Sequence, residues 1–126
     1  MIGSAQAKDF TTIRAEHVAS LLKNPAVVVI DVRTPEEHRR GRIAQREIKI
    51  DYFGIKDLEG TLFALDDTKM YIVYCHDGRR SKRVAEIMAS FGFTVFQLEG
   101  GIKAYYQRFP RRIFDFKGPP EPPPQS

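Results

Sequence analysis

The chain has one cysteine, Cys75. A lone cysteine excludes an internal disulfide and any multi-cysteine zinc site. Histidine is nearly as scarce. His17, His38 and His76 show no ligand spacing, so no metal is expected. No apolar run approaches the ~20 residues of a membrane helix, which argues against a spanning segment. There are no internal repeats. Nucleic-acid binding would want a dense basic stripe interleaved with aromatics. The nearest candidate is Arg39, Arg40, Arg42 and Arg46, which Glu36, Glu37 and Glu47 dilute, so it reads as a solvated face. The first ten residues contain no apolar signal core, yet Ala5-Gln6-Ala7 has the small-x-small form of a signal-peptidase site. Cytoplasmic and exported locations both stay open.

What is present fits one soluble domain. The chain has 126 residues, 42% hydrophobic and 29% charged, with a formal charge of +4. That charge favours anionic small molecules or simply aids solubility. The end from Lys117, K-G-P-P-E-P-P-P-Q-S, is proline-rich and is expected to be extended and disordered, as a plain tail or a segment that docks on a partner's aromatic groove. The folded domain is expected over residues 10–116, after a flexible start at 1–9.

Helical and strand patterns alternate between these ends. Residues 14–22 carry Val18, Leu21 and Leu22 at helical spacing, and Asn24-Pro25 breaks the pattern. Residues 26–32 form an unbroken, β-branched strand run. Pro35 starts a short acidic-then-basic helix that Gly41 ends. Residues 48–50 and 70–75 read as strands, 58–65 as a helical turn. Residues 81–91 form a helix with Val84, Ile87, Met88 and Phe91 on one face. A strand at 94–98 and a helix at 102–109 complete the pattern. Such alternation predicts an α/β domain, a mostly parallel sheet with helices on both faces.

Ligands of parallel α/β sheets bind beyond the carboxyl ends of strands. Cys75 stands at such an end, and His76, Asp77, Gly78, Arg79 and Arg80 lead into the helix near Ser81. A tight loop of this kind turns backbone N–H groups inward, and the helix N-terminus adds partial positive charge. Gly78 supplies the backbone freedom, and the arginines can grip an anion's oxygens. The pattern describes a thiolate nucleophile in an anion-binding cup. A buried cysteine that merely packs would need none of these neighbours.

C-H-D-G-R-R-S resembles the C-x-x-G-x-R-S loop of the single-domain rhodanese family of sulfurtransferases. D-V-R at Asp31–Arg33 with the following T-P-E-E-H resembles that family's D-V-R-x-x-x-E element. G-R-I at Gly41–Ile43 stands where G-H-I is usual, and L-E-G-G-I at Leu98–Ile102 is similar to the L-x-G-G element. The likeness runs from Phe10 to Phe109. It implies a rhodanese-like fold and a cofactor-free sulfurtransferase. In it, Cys75 takes sulfane sulfur from a small anionic donor such as thiosulfate and passes it to cyanide or a thiol, protein thiols included. It implies that Arg80 binds the donor's anionic end, with Arg79 less defined, Gly78 and Ser81 shaping the loop, and His76 free to meet an acceptor. Asp31 and Arg33 would hold the loop from below. The family usually continues G-H-I-x-G-A, whereas this chain reads G-R-I-A-Q-R, so Arg42 replaces the histidine. Two rivals stay open: a non-catalytic binding or sulfur-carrier module, and a cysteine phosphatase. The phosphatase loop C-x5-R is one residue longer, and its arginine position falls here on Ser81.

Overall fold

The computed structural model describes residues 7–123. Its element order is β1 (Thr11–Ile13), α1 (Ala15–Leu21), β2 (Val27–Asp31), α2 (Pro35–Arg39), β3 (Glu47–Lys49), α3 (Leu58–Phe63), β4 (Met70–Tyr74), α4 (Arg79–Ser90), β5 (Thr94–Leu98) and α5 (Gly101–Arg108). A single turn of 3-10 helix follows at Pro110–Arg112. The strands form one five-stranded sheet in the order β1-β5-β4-β2-β3. Every pairing is parallel, so the sheet is wholly rather than mostly parallel.

The central strands are β-branched and apolar because helices cover both their faces. On one side Ile30, Tyr71 and Val73 pack against Leu62 of α3 and Val84, Ile87 and Met88 of α4. On the other, Val29, Ile72 and Tyr74 meet Val18 of α1 and Ile102 and Tyr105 of α5. Ile30 and Ile72 are fully buried, and each such side chain contributes ~1.5–3 kcal/mol of transfer free energy. Parallel pairing carries the carboxyl ends of β2, β4 and β5 to one edge of the sheet, and Asp31 lies in register with Tyr74. Cys75 emerges there.

Helix α2 is short but well started. Thr34 accepts from the Glu37 N–H at 3.2 Å, and the Glu37 carboxylate accepts from the Thr34 N–H at 2.9 Å. Ordered contacts begin before Phe10. The Lys8 N–H donates to the Ala89 carbonyl at 2.8 Å, while residues 1–6, including most of the Ala5-Gln6-Ala7 triplet, lie outside the described part. Among the described residues no helix is long and apolar enough to cross a membrane.

The proline-rich end bends at Gly118 and Pro119 and has fixed contacts as far as Pro123. Phe114 pairs with Arg42 as an antiparallel bridge, and Arg42 forms an ion pair with Asp115. Phe116 stacks on Tyr106 with centroids 5.8 Å apart. The Lys117 N–H donates to the Arg40 carbonyl at 2.9 Å, and Arg40 Nη2 donates to the Pro119 carbonyl at 3.1 Å. Pro123 is buried. The expectation of disorder from Lys117 onward therefore does not describe residues 117–123. Arginines expected on a solvated face instead hold the chain's own end.

Candidate active site

Cys75 follows β4 directly and is fully buried. Its carbonyl and that of His76 accept from the N–H groups of Ile102 and Lys103 at 2.9 and 3.0 Å, which docks the loop on the first turn of α5. The approach is close enough to require glycine. A Cβ on Gly101 would lie 2.4 Å from the His76 carbonyl oxygen, and the residue sits at φ +62°. The L-E-G-G-I element thus acts as the seat of the cysteine loop.

Past Asp77 the loop reverses through Gly78 at φ +105°, the N-cap of α4. That conformation aims the Gly78 N–H at Cys75 Sγ, 3.1 Å away, and the Ser81 N–H reaches the same sulfur at 3.4 Å. Ser81 Oγ lies 3.5 Å from Sγ and donates to the Gly78 carbonyl at 3.2 Å. Buried Gln97 on β5 donates to Ser81 Oγ at 3.1 Å. The sulfur therefore sits at the positive end of a 12-residue helix, with peptide N–H donors directed at it. This arrangement presents two N–H donors and the positive end of α4 to the sulfur. Gln97 was not foreseen, because its contact with the loop spans 16 residues of sequence.

The two loop arginines have different surroundings. Arg80 Nη1 and Nη2 donate to the two oxygens of Glu37 at 2.9 and 2.8 Å, and both side chains are buried. One N–H from each terminal nitrogen of Arg80 is thus taken by Glu37, while the side chain also lines the cavity beside the loop. Arg79 is 81% exposed and pairs with Asp77 at 2.9 Å on the rim. Glu37 is the last residue of the D-V-R-x-x-x-E element.

Asp31 and Arg33 lie in a buried polar network behind α2. Arg33 donates to both Asp31 oxygens at 2.9 and 2.8 Å, and to the carbonyls of Glu37 at 3.1 Å and Gly41 at 2.6 Å. Tyr74 donates to Glu47 at 2.8 Å, and His38 Nδ1 lies 2.7 Å from Asp31. Burial opposes ionisation of Asp31, but the His38 hydrogen bond and the Arg33 charge outweigh it and hold its pKa low. Burial and the Asp31 charge push Glu47 up to about 8. One ligand-type atom each from Asp31, His38 and Glu47 fall within 4.8 Å of one another, a grouping the histidine spacing did not suggest. Arg33 and Tyr74 already satisfy those carboxylates from inside.

A cavity of about 190 Å³ opens beside the loop, lined by Phe53, His76, Asp77, Arg79, Arg80, Pro122 and Pro123. The Arg80 guanidinium lies 5.2 Å from the centroid of the Phe53 ring. His76 Nδ1 is buried without a hydrogen-bond partner, and burial lowers the pKa of the ring. The structure thus unites Cys75, Gly78 and Ser81 around the sulfur and places His76, Asp77 and Arg79 at the mouth. Arg80 lines the same cavity while paired with Glu37, and Asp31 and Arg33 lie in the buried network behind α2.

The Rhodanese-like domain family model matches residues 14–108. A rhodanese-related protein from Thermoplasma volcanium is 31% identical, with 78% of this chain and 92% of that chain covered at a TM-score of 0.68. A protein of unknown function from Rhodopseudomonas palustris, a possible tyrosine phosphatase, is 25% identical, with 89% and 85% covered at 0.64. The As-Sb reductase of Leishmania major shares the fold at 24% identity, with 81% and 80% covered at 0.66.

Proposed function

The chain belongs to the rhodanese-like domain family, and on that premise we propose that it is a sulfurtransferase working through a persulfide on Cys75. The observation that carries this reading is the pair of N–H donors at 3.1 and 3.4 Å from the sulfur of the only cysteine. In the first step the thiolate attacks the outer sulfur of thiosulfate. A bond forms between Sγ and that sulfur, the S–S bond of thiosulfate breaks, and its electron pair leaves on sulfite. In the second step cyanide, or the thiolate of an acceptor, attacks the terminal sulfur. The persulfide S–S bond breaks, and its electron pair returns to Sγ as thiolate.

The Gly78 and Ser81 N–H groups hold the anion at both stages. The anionic end of the donor falls to Arg79. Its pair with Asp77 is exposed to solvent and opens readily. Arg80 keeps the loop in place through Glu37. The cradle requires no cofactor. A phosphatase reading is weaker: the arginine that closes a C-x5-R loop would stand at position 81, which is serine.

Initial-rate kinetics test the proposal. Double-reciprocal plots for thiosulfate and cyanide should be parallel, because sulfite leaves before the acceptor reacts. Converging lines would mean a ternary complex and no free persulfide enzyme. Hydrolysis of an aryl phosphate, without thiocyanate production, would favour the phosphatase instead.

A further inference from the structure

Residues 109–123 lie outside the span matched by the family model, yet they reach the active-site mouth. The segment is clamped along its length. Arg42, which stands where the family has histidine, pairs with Asp115 and lies over the Phe114 ring at 5.8 Å. Arg40 holds Lys117 and Pro119 by hydrogen bonds and approaches the Glu121 carboxylate at 3.7 Å. The two arginines that depart from the expected solvated face are thus the anchors of the strap. Beyond them, Pro122 and Pro123 line, together with the Cys75 loop and Phe53, a cavity of about 190 Å³. Prolines suit this position. They offer no N–H, their φ is fixed, and they make a stiff apolar wall.

Cys75 is fully buried, and the loop residues that follow it, His76, Asp77, Arg79 and Arg80, line that cavity. A small anion fits a cavity of this size, whereas a folded protein surface bearing a thiol does not. Resting on the reading of Cys75 as the reactive thiol, we propose that the C-terminal strap is a size filter. It admits small sulfur donors and acceptors to Cys75 and holds out peptide and protein thiols. Arg40 and Arg42 are positioning residues for the strap, and Pro122 and Pro123 are its working face.

Because Cys75 is the only cysteine, thiol labelling reads this site alone. The full-length reduced protein is treated with iodoacetamide and, separately, with a maleimide bearing a polyethylene glycol chain. Each rate is divided by that of the same reagent on free glutathione. Two full-length variants are compared with the wild type, Arg40→Ala, which removes the side-chain contacts to Pro119 and Glu121 and so loosens the strap, and Pro122→Gly with Pro123→Gly, which softens it. Both variants should raise the normalised rate of the bulky reagent by about tenfold, equivalent to about 1.4 kcal/mol, and leave that of iodoacetamide within about twofold. Unchanged bulky-reagent rates in both variants would overturn the filter. An equal rise for both reagents would also overturn it, since the strap would then be a shut lid. Persulfide formation with thiosulfate is followed separately by mass. Its failure would remove the sulfurtransferase reading while the labelling ratio still judged the strap.

Discussion

The two terminal nitrogens of Arg80 face the two carboxylate oxygens of Glu37 at 2.9 and 2.8 Å, across 43 residues of sequence. This pair ties α2 to the start of α4 and so to the loop that surrounds the sulfur. Because both partners are buried, removing one strands the other's charge. Arg80→Ala should destabilise the fold by ~3–5 kcal/mol. Arg80→Lys, which keeps the charge but not the fork, should cost less yet still disturb the loop. Urea unfolding of the two variants checks this. Wild-type stability in Arg80→Ala would show that the pair holds nothing.

Glu47 makes stability depend on pH in an unusual direction. Burial and the charge of Asp31 raise its folded pKa to about 8, above its ordinary value of 4.5. The folded state therefore binds the proton more tightly than the unfolded chain does. The stabilisation is complete below about pH 4.5 and is lost as pH rises toward about 8, a fall on the order of 5 kcal/mol. Asp31 acts oppositely, since its lowered pKa adds stability that disappears only in acid. Glu47→Gln imitates the neutral form and should flatten the decline. Urea midpoints at several pH values across this window measure it. An equally steep decline in Glu47→Gln would assign the effect to another group.

Gly101→Ala tests the seat of the loop. The added Cβ would come within 2.5 Å of the Cys75 and His76 carbonyl oxygens, at a φ of +62° that side chains rarely adopt. The loop must shift, and the Gly78 and Ser81 N–H groups would lose their aim at Sγ. We expect a loss of ~1–3 kcal/mol together with at least a tenfold fall in transfer rate. Unchanged kinetics with lowered stability would show that the docking is structural only.

The parts of the molecule that were legible in the sequence are local ones. Val27 to Asp31 and Met70 to Tyr74 are apolar runs, which only a covered parallel strand requires, and Gly78 announces a turn before a helix. β1 was missed because Thr11–Ile13 is too short to show a period. The roles of Glu37, Gln97, Tyr74 and Glu47 were hidden because their partners lie far along the chain: 43 residues for Glu37–Arg80 and 27 for Tyr74–Glu47. The strap was hidden for a related reason. Composition marks residues 117–126 as unable to build a core of their own. It cannot show that Arg40 and Tyr106 supply the contacts.

The central claim is a covalent sulfur on Cys75, and the intact mass of the reduced protein tests it most directly. The mass is taken before thiosulfate, after it, and again after cyanide, with Cys75→Ser in parallel. Serine keeps the shape but offers no sulfur and, near neutral pH, almost no alkoxide. The wild type should gain the mass of one sulfur atom and lose it to cyanide, and Cys75→Ser should gain nothing. No gain in the wild type with thiosulfate, or an equal gain in Cys75→Ser, would contradict the mechanism.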